Sequence, residues 1–336
     1  MTFKICVVGC GQIAIGYHGP SYKRYAAQHQ DVVLAGCCDI DLHKAVDFQQ
    51  RFGFQRSYQD YLVMLDAVKP DAVCLLVPPD QTSITSCAIL DKGYPLLTEK
   101  PSGRTIFELD RMIAAARRKN VATQVAFNRR YIPLLKKLNI YLSTHFKNNE
   151  IHNIRYDFSR INRRDADFST TAIHGIDATR TLAGSDYQHI RFHYQELPDL
   201  GPHVANIFMD CTFTSGATGQ LNFYPVSGVV TERATVQAYN NTFFLNLPVW
   251  NAFDTPGRLL HLKEGKVVFD TTGPEVSESD EEYVLNGFYD ENASFFDDIK
   301  EGRKPAGSLE TSRQSVEIAD FIRERKTEYI LQEIYE

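Results

Sequence analysis

Gly9, Gly11 and Ala14 stand at the spacing by which a chain holds a pyrophosphate through its backbone. They follow the apolar run Lys4-Ile5-Cys6-Val7-Val8, which reads as a buried strand, and they open what reads as a helix. Gly9 permits a tight turn, and Gly11, lacking a Cβ, lets backbone approach the phosphates closely. Ala14 takes the place of a third glycine and lets helix pack tightly on strand. With Gln12 and Ile13 between them, these residues are the expected phosphate cradle, at a helix end that favours negative charge. A second apolar run, Val32–Cys38, ends at Asp39. A carboxylate there accepts from adenosine ribose hydroxyls and repels a 2′-phosphate. Asp41 adds negative charge and no Arg or Lys directly follows Asp39, so NAD is expected ahead of NADP. The competing role for Asp39 is as cap of a helix over Leu42–Phe52, which Gly53 closes; Asp41 could cap it equally well.

The elements needed to position that cradle follow in series. Ser57 is expected to open a helix through Val68, stopped by Lys69-Pro70. Asp71–Val77 reads as a central strand, apolar throughout because it is covered on both faces, and runs into Pro78-Pro79. Asp80 is expected to start the next helix and Gly93 to end it. Leu96–Thr98 is a short strand before Glu99-Lys100-Pro101, Thr105 caps a helix to about Asn120, and Val121–Phe127 is another strand. Alternating strands and helices predict a doubly wound parallel sheet. Beyond Tyr131 the texture changes. After a helix to about Thr144, a strand near Ile151–Ile161 and a helix over about Ala172–Leu182, period-two runs such as Ile207, Met209, Cys211 and Phe213 predict a mostly antiparallel sheet. Helices are expected near Asn286–Lys300 and Leu309–Arg325, and Gly273–Glu282 reads as an acidic loop.

A chain of 336 residues predicts two domains. We expect an N-terminal Rossmann domain over 1–127 and a C-terminal α+β domain over 128–336, with the last helix free to pack back on the first. Hydrophobic content of 43% and charged content of 23% are those of a globular chain. A net charge of −6 gives no footprint for nucleic acid or anionic membrane. No apolar run approaches a membrane span of about 20 residues, and the chain enters a strand at once, so no secretory leader is expected. The 7 cysteines are scattered without a Cys-x-x-Cys pair, which fits reduced thiols in the cytoplasm, and no His or Cys spacing suggests a metal. Neither a Gly-x-Ser-x-Gly nor a Walker sequence occurs, which disfavours hydrolase and phosphotransferase readings.

The glycine turn, Pro78-Pro79, Glu99-Lys100-Pro101, His174-x-x-Asp177 and Glu291-Asn292-Ala293-Ser294-Phe295-Phe296 occur in an order that resembles the Gfo/Idh/MocA oxidoreductases. Phe127-Asn128-Arg129-Arg130-Tyr131 is most similar to its MviM-like branch. The resemblance implies a nicotinamide site flanked by Pro78, Pro79 and Glu99, with Lys100 contacting the reacting hydroxyl and nicotinamide ribose and His174 serving as acid/base. It also implies dimers or tetramers built through the open face of the C-terminal sheet. Many active relatives carry a carboxylate one helical turn before that histidine, where this chain has Thr170. A hydroxyl orients an imidazole but does not stabilise imidazolium as a carboxylate does. Asp165 or Asp167 could reach the site from the loop, and Asp177 could orient the ring or fix helix packing.

Arg129, Arg130, Arg160, Arg163 and Arg164 flank the segments expected to line the substrate, together with Thr170 and His174. Arginine forks bind carboxylate or phosphate bidentately, which would suit an anionic sugar derivative. Pairing with local acids such as Asp157, Asp165 and Asp167 is the plainer alternative. Tyr17 and His18 either line the cofactor cleft or cover the first helix, and the single Trp250 packs at a contact or over a substrate. The expected activity is NAD-dependent interconversion of a secondary hydroxyl and ketone on a sugar or cyclitol derivative. The alternative is a dinucleotide-binding sensor or scaffold with weak chemistry.

Overall fold

The computed structural model describes residues 2–332; residues 333–336, which the sequence reading included in its second domain, lie outside them. The chain divides into two units, each described by itself. The first holds residues up to Asn128 together with Gly287–Val316, and the second holds Arg129–Asn286 and residues from Glu317 onward.

In the first unit six strands form one parallel sheet: β1 (Phe3–Val8), β2 (Val32–Cys38), β3 (Arg56–Tyr58), β4 (Ala72–Leu75), β5 (Leu96–Glu99) and β6 (Thr123–Ala126). Their order is β3-β2-β1-β4-β5-β6, so the winding reverses between β1 and β4. The intervening helices are α1 (Gly19–Gln28), α2 (Leu42–Phe52), α3 (Tyr61–Val68), α4 (Pro79–Asp91) and α5 (Ile106–Lys119). Two local expectations are corrected. Ser57 does not open a helix: Arg56–Tyr58 pairs along the outer edge of β2, and α3 starts later because Asp60 caps it, accepting from the amides of Leu62 and Val63 at 2.7 and 3.2 Å. The helix after the glycine turn begins as a π turn over Ala14–His18 before continuing as α1.

The expected second domain is 128–336, with only the last helix free to pack back, whereas Asn128 and the whole of 287–316 belong to the first unit. The reason is apolar. A helix over Phe288–Lys300 (α10, after two short helices below) buries Phe295 and Phe296 with Tyr22, Tyr25, Phe48 and Phe52 in the core beside β1. Each ring removed from water is worth roughly 2 kcal/mol, and Tyr25 Oη donates to Asp297 Oδ1 at 2.6 Å.

The second unit opens with α6 (Pro133–His145), β7 (Ile151–Ser159) and α7 (Ser169–Ala183). Then come β8 (Tyr187–Glu196), β9 (Ala205–Phe213), β10 (Thr218–Tyr224), β11 (Thr231–Ala238), β12 (Asn241–Asn246), β13 (Arg258–Lys263) and β14 (Lys266–Thr272). With β15 (Glu328–Ile330) they form a nine-stranded sheet in the order β14-β13-β12-β11-β7-β10-β9-β8-β15. The sheet is mostly antiparallel, as expected; β7 and β10 pair parallel. On β7, Ile154, Tyr156 and Phe158 face inward, while His152 and Arg155 are exposed. Gly175 lets α7 come close to this face, since a Cβ there would lie 2.8 Å from the Phe223 ring. The expected acidic loop contains a short helix, α8 (Gly273–Ser277), held by a capping box between Thr272 and Glu275; α9 (Glu282–Leu285) follows. The last helix, α11, spans Leu309–Arg323. No helix among the described residues is long and apolar enough to cross a membrane.

Candidate functional site

Because the first sheet is wholly parallel, the ends of β1, β2, β4 and β5 lie along one edge. Gly9, Asp39, Pro78 and Lys100 therefore gather there, around the reversal of strand order, which is where such sheets bind ligands. Gly9 has φ +100°, and a Cβ on it would fall 2.2 Å from the carbonyl oxygen of Leu76, so only glycine allows this turn to lie against the end of β4. Its N–H donates to Cys38 O at 2.8 Å, tying the turn to β2. Gly11 differs: a Cβ there would meet nothing within 4 Å. That open space over a glycine backbone is the room a pyrophosphate needs, and Ala14, fully buried, lets the following turn pack down. Gln12 is exposed and Ile13 half-buried beside that space.

Asp39 does not cap α2. Asp41 does, accepting from His43 N at 3.0 Å. The Asp39 carboxylate instead accepts from Cys10 N at 2.8 Å and from Asp41 N at 2.9 Å, which fixes it at the tips of β1 and β2. It stays partly exposed, and Ile40 beside it is 88% exposed, an apolar surface that the sequence reading passed over. Pro78 is exposed and caps α4, so that helix starts at Pro79 rather than Asp80. Glu99 ends β5 with both oxygens engaged: Oε1 lies 3.0 Å from His18 Nε2, and Oε2 accepts the Lys100 amide at 3.0 Å. Burial pushes the Glu99 carboxyl up, but the bond from His18 and the charge of Lys100 outweigh it and leave it below the ordinary carboxylate range. Lys100 itself is half-buried.

The remaining expected site residues lie in the second unit. His174 is on α7 and buried, 5% exposed. One turn earlier, Thr170 Oγ1 donates to Asp167 O at 3.2 Å, while the Asp167 carboxylate accepts from Ser169 N at 3.1 Å and holds the start of the helix. One turn later, Asp177 is fully buried and receives a bidentate fork from Arg130, at 2.7 and 2.5 Å. The other arginines are also engaged with protein groups. Arg129 donates to Glu232 at 2.6 and 3.2 Å, Arg160 shares the same carboxylate, and Tyr156 Oη donates to it at 2.8 Å. Glu232 is fully buried. Burial alone would raise its carboxyl, but the two guanidiniums beside it bring it down to about 2. Arg163 pairs with Asp165 at 2.7 Å and donates to Thr171 at 3.2 Å, and Arg164 donates to Asn162 at 2.8 Å. The forks expected to meet an anion thus meet carboxylates and amides of the chain.

Residues 3–127 match the profile described as an oxidoreductase family with an NAD-binding Rossmann fold. Over that stretch, rather more than a third of its length, the chain is similar to the NAD-binding part of the Gfo/Idh/MocA oxidoreductases. Myo-inositol 2-dehydrogenase of Thermotoga maritima is 22% identical over 341 aligned positions, covering 93% of each protein. D-glucoside 3-dehydrogenase of Escherichia coli K12 is 27% identical over 128 residues, which is 38% of this chain and 35% of that enzyme; this chain therefore aligns with about a third of that relative. The solved structure of levoglucosan dehydrogenase in complex with NADH and levoglucosan superimposes with a TM-score of 0.82 at 18% identity, covering 99% of this chain and all of that one, which establishes the shared fold.

Three residues beside the candidate site carry little signal in the sequence. Glu232 gave no signal, because it sits in a strand far from the arginines it neutralises. Asn292 lies in a motif noted only for its resemblance. His18 was left between lining the cleft and covering a helix; with both ring nitrogens bonded inside the first unit, it has a more definite place. Among the described residues no cluster of His, Cys, Asp and Glu could hold a metal.

Proposed function

We propose that the protein is an NAD-dependent dehydrogenase that interconverts a secondary hydroxyl and a ketone on a neutral sugar or cyclitol. The supporting observation is the gathering of Gly9, Gly11, Asp39, Pro78, Pro79 and Lys100 along the carboxyl edge of one parallel sheet at its strand-order reversal. The open space at Gly11 takes the pyrophosphate, and Asp39, locked by two amides, faces the ribose hydroxyls and disfavours a 2′-phosphate. Bound there, NAD supplies the hydride acceptor, and the protein orients and polarises. Lys100, at the end of β5, holds the substrate oxygen, and His174 on α7 takes or returns its proton. Sugar and cyclitol relatives such as the inositol and glucoside dehydrogenases support the substrate class.

Neutrality follows from the arginines. Inside the second unit Arg130 is turned onto Asp177, and Arg129 and Arg160 share Glu232, so these forks already hold carboxylates of the chain, which weakens the argument for a phosphorylated or carboxylated substrate. The open face of the second sheet, which carries Phe244 at 41% exposure, is the proposed contact of a dimer or tetramer; light scattering tests it. The seven free cysteines suit a reducing cytoplasm.

The deciding experiment follows NADH at about 340 nm with NAD and a panel of cyclitols, aldoses, sugar acids and sugar phosphates, with Lys100→Ala and His174→Ala alongside. Lysine-dependent signal on neutral substrates is the expected result. NAD binding without turnover on any substrate would instead favour a sensor, consistent with a hydroxyl at Thr170 where a carboxylate would assist His174.

A further inference from the structure

His18 lies in the π turn that follows the glycine loop and has no exposed surface. Its ring meets Phe288 edge to face at 5.1 Å between centroids and Tyr22 at 5.9 Å. Both ring nitrogens have partners. Nε2 is 3.0 Å from Glu99 Oε1, and Nδ1 is 3.0 Å from Asn292 Nδ2, with the amide oxygen farther away at 3.3 Å. The same Asn292 Nδ2 donates to Phe288 O at 2.7 Å, which fixes the amide's orientation. An amide nitrogen carries two hydrogens and accepts nothing, so its second hydrogen points at Nδ1. Nδ1 is then the acceptor, and the proton of the ring sits on Nε2, where it is donated to Glu99. The second oxygen of Glu99 holds the amide of Lys100 at 3.0 Å. Three elements that are distant in sequence, α10, the turn before α1 and β5, are thereby joined by hydrogen bonds whose donors, from His18 on one side and the Lys100 amide on the other, converge on the Glu99 carboxylate.

We propose that His18 is a positioning residue for Lys100, acting through Glu99 with its tautomer set by Asn292. A carboxylate bonded at both oxygens cannot swing, so the main chain from which the lysine side chain departs is fixed. Without the His18 donor, one oxygen of an enclosed carboxylate is left unmet, and Glu99 turns to find another partner, taking the Lys100 amide with it. Reaction geometry is sensitive to such shifts; a displacement of about 1 Å costs as much as 10²-fold in rate. This inference rests on the reading of Lys100 as the group at the reacting oxygen.

The test compares wild type with His18→Leu, His18→Gln and Asn292→Ala. Gln places an amide nitrogen where Nε2 stood, so it restores the donor without the ring. His18→Leu is expected to lower kcat by about tenfold to a hundredfold, with the NAD dissociation constant held within about threefold. His18→Gln is expected to recover most of that loss. Equal turnover in the Leu and Gln variants, or a fall in NAD affinity that matches the fall in kcat, overturns the proposal. Independently of turnover, 15N shifts of the His18 ring in the resting protein are expected to show the proton on Nε2 in wild type and exchange between tautomers in Asn292→Ala. A proton on Nδ1 in wild type overturns it even if every His variant fails to fold. A wild type that binds NAD but reduces none of it removes the reading of Lys100 and this role with it. Wild-type turnover that His18→Leu leaves intact removes the positioning role alone.

Discussion

Replacing Glu232 by Gln tests the internal neutralisation of the arginines. Glu232 has no exposed surface, and it meets Arg129, Arg160 and the Tyr156 hydroxyl. Its carboxyl is held at about 2 against an ordinary 4.5. At 1.36 kcal/mol per pH unit this displacement is worth about 3 kcal/mol of stability, in the range of about 3–5 kcal/mol for removing one member of a buried ion pair. Because the folded value is the lower one, the contribution is complete above about 4.5 and disappears as pH falls towards 2. Burial opposes the Arg160 charge as well, but guanidinium remains protonated across the accessible range, so the carboxylate sets the pH window. For a unit of this size, about 3 kcal/mol corresponds to a Tm loss of roughly 6–12 °C. Calorimetry at pH 7 should show that loss in the second unit's transition, and the gap to wild type should narrow to roughly half by pH 3 and close towards pH 2. A loss below about 2 °C at pH 7, or a gap that persists undiminished at pH 3, would refute the reasoning. An Arg160→Met, Glu232→Gln pair should recover part of the loss, since one unanswered charge is gone.

The two glycines of the loop should respond differently. Gly9→Ala places a Cβ against Leu76 O at φ +100° and is expected to cost at least about 2 kcal/mol of stability, read by urea unfolding. Gly11→Ala adds a Cβ that meets no protein atom within 4 Å, so it should leave unfolding unchanged and weaken NAD binding by at least about tenfold in calorimetric titration. Asp39→Asn keeps an acceptor for Cys10 N but drops the charge, and the ratio of NADPH to NADH dissociation constants should fall by about tenfold. His261 is fully buried, bonded to Asn241 at 2.8 Å and stacked on Phe243, and burial lowers its pKa. The neutral ring is the folded form, so its contribution is complete above about 6.5 and is lost as pH falls below that. His261→Phe should therefore flatten the decline in Tm between pH 6.5 and 5.

Much of the first unit was legible because its constraints are local. Buried runs such as Asp71–Val77 announce central strands, and the glycine turn carries its geometry in its own residues. The strand Arg56–Tyr58 is missed, and Ser57 taken for a helix start, because a short, half-exposed edge strand has no periodicity to display. In the second unit, alternation marked the strands, but nothing in alternation says that β7 lies parallel to β10. The apolar side of α10 was visible in Phe288, Phe295 and Phe296, while the sheet it serves was not, because a hydrophobic stripe specifies burial and not the surface that provides it.

The same distinction separates the parts of the candidate site. Gly9 and Asp39 are legible from sequence because the glycine spacing and the acid at the end of β2 belong to one βαβ step, in which Cys10 and Asp39 stand 29 positions apart. Arg129 and Glu232 are 103 residues apart, and His18 and Asn292 are 274 apart. A residue's type announces a charge or a donor, but the strand order and the return of the chain decide what answers it. Five arginines near one segment imply an anionic ligand only while their charge is unanswered. Arg129, Arg130 and Arg160 are held by Glu232 and Asp177, carboxylates that lie up to 103 residues away and brace the second unit, so proximity in sequence alone overstates their case for an anionic ligand.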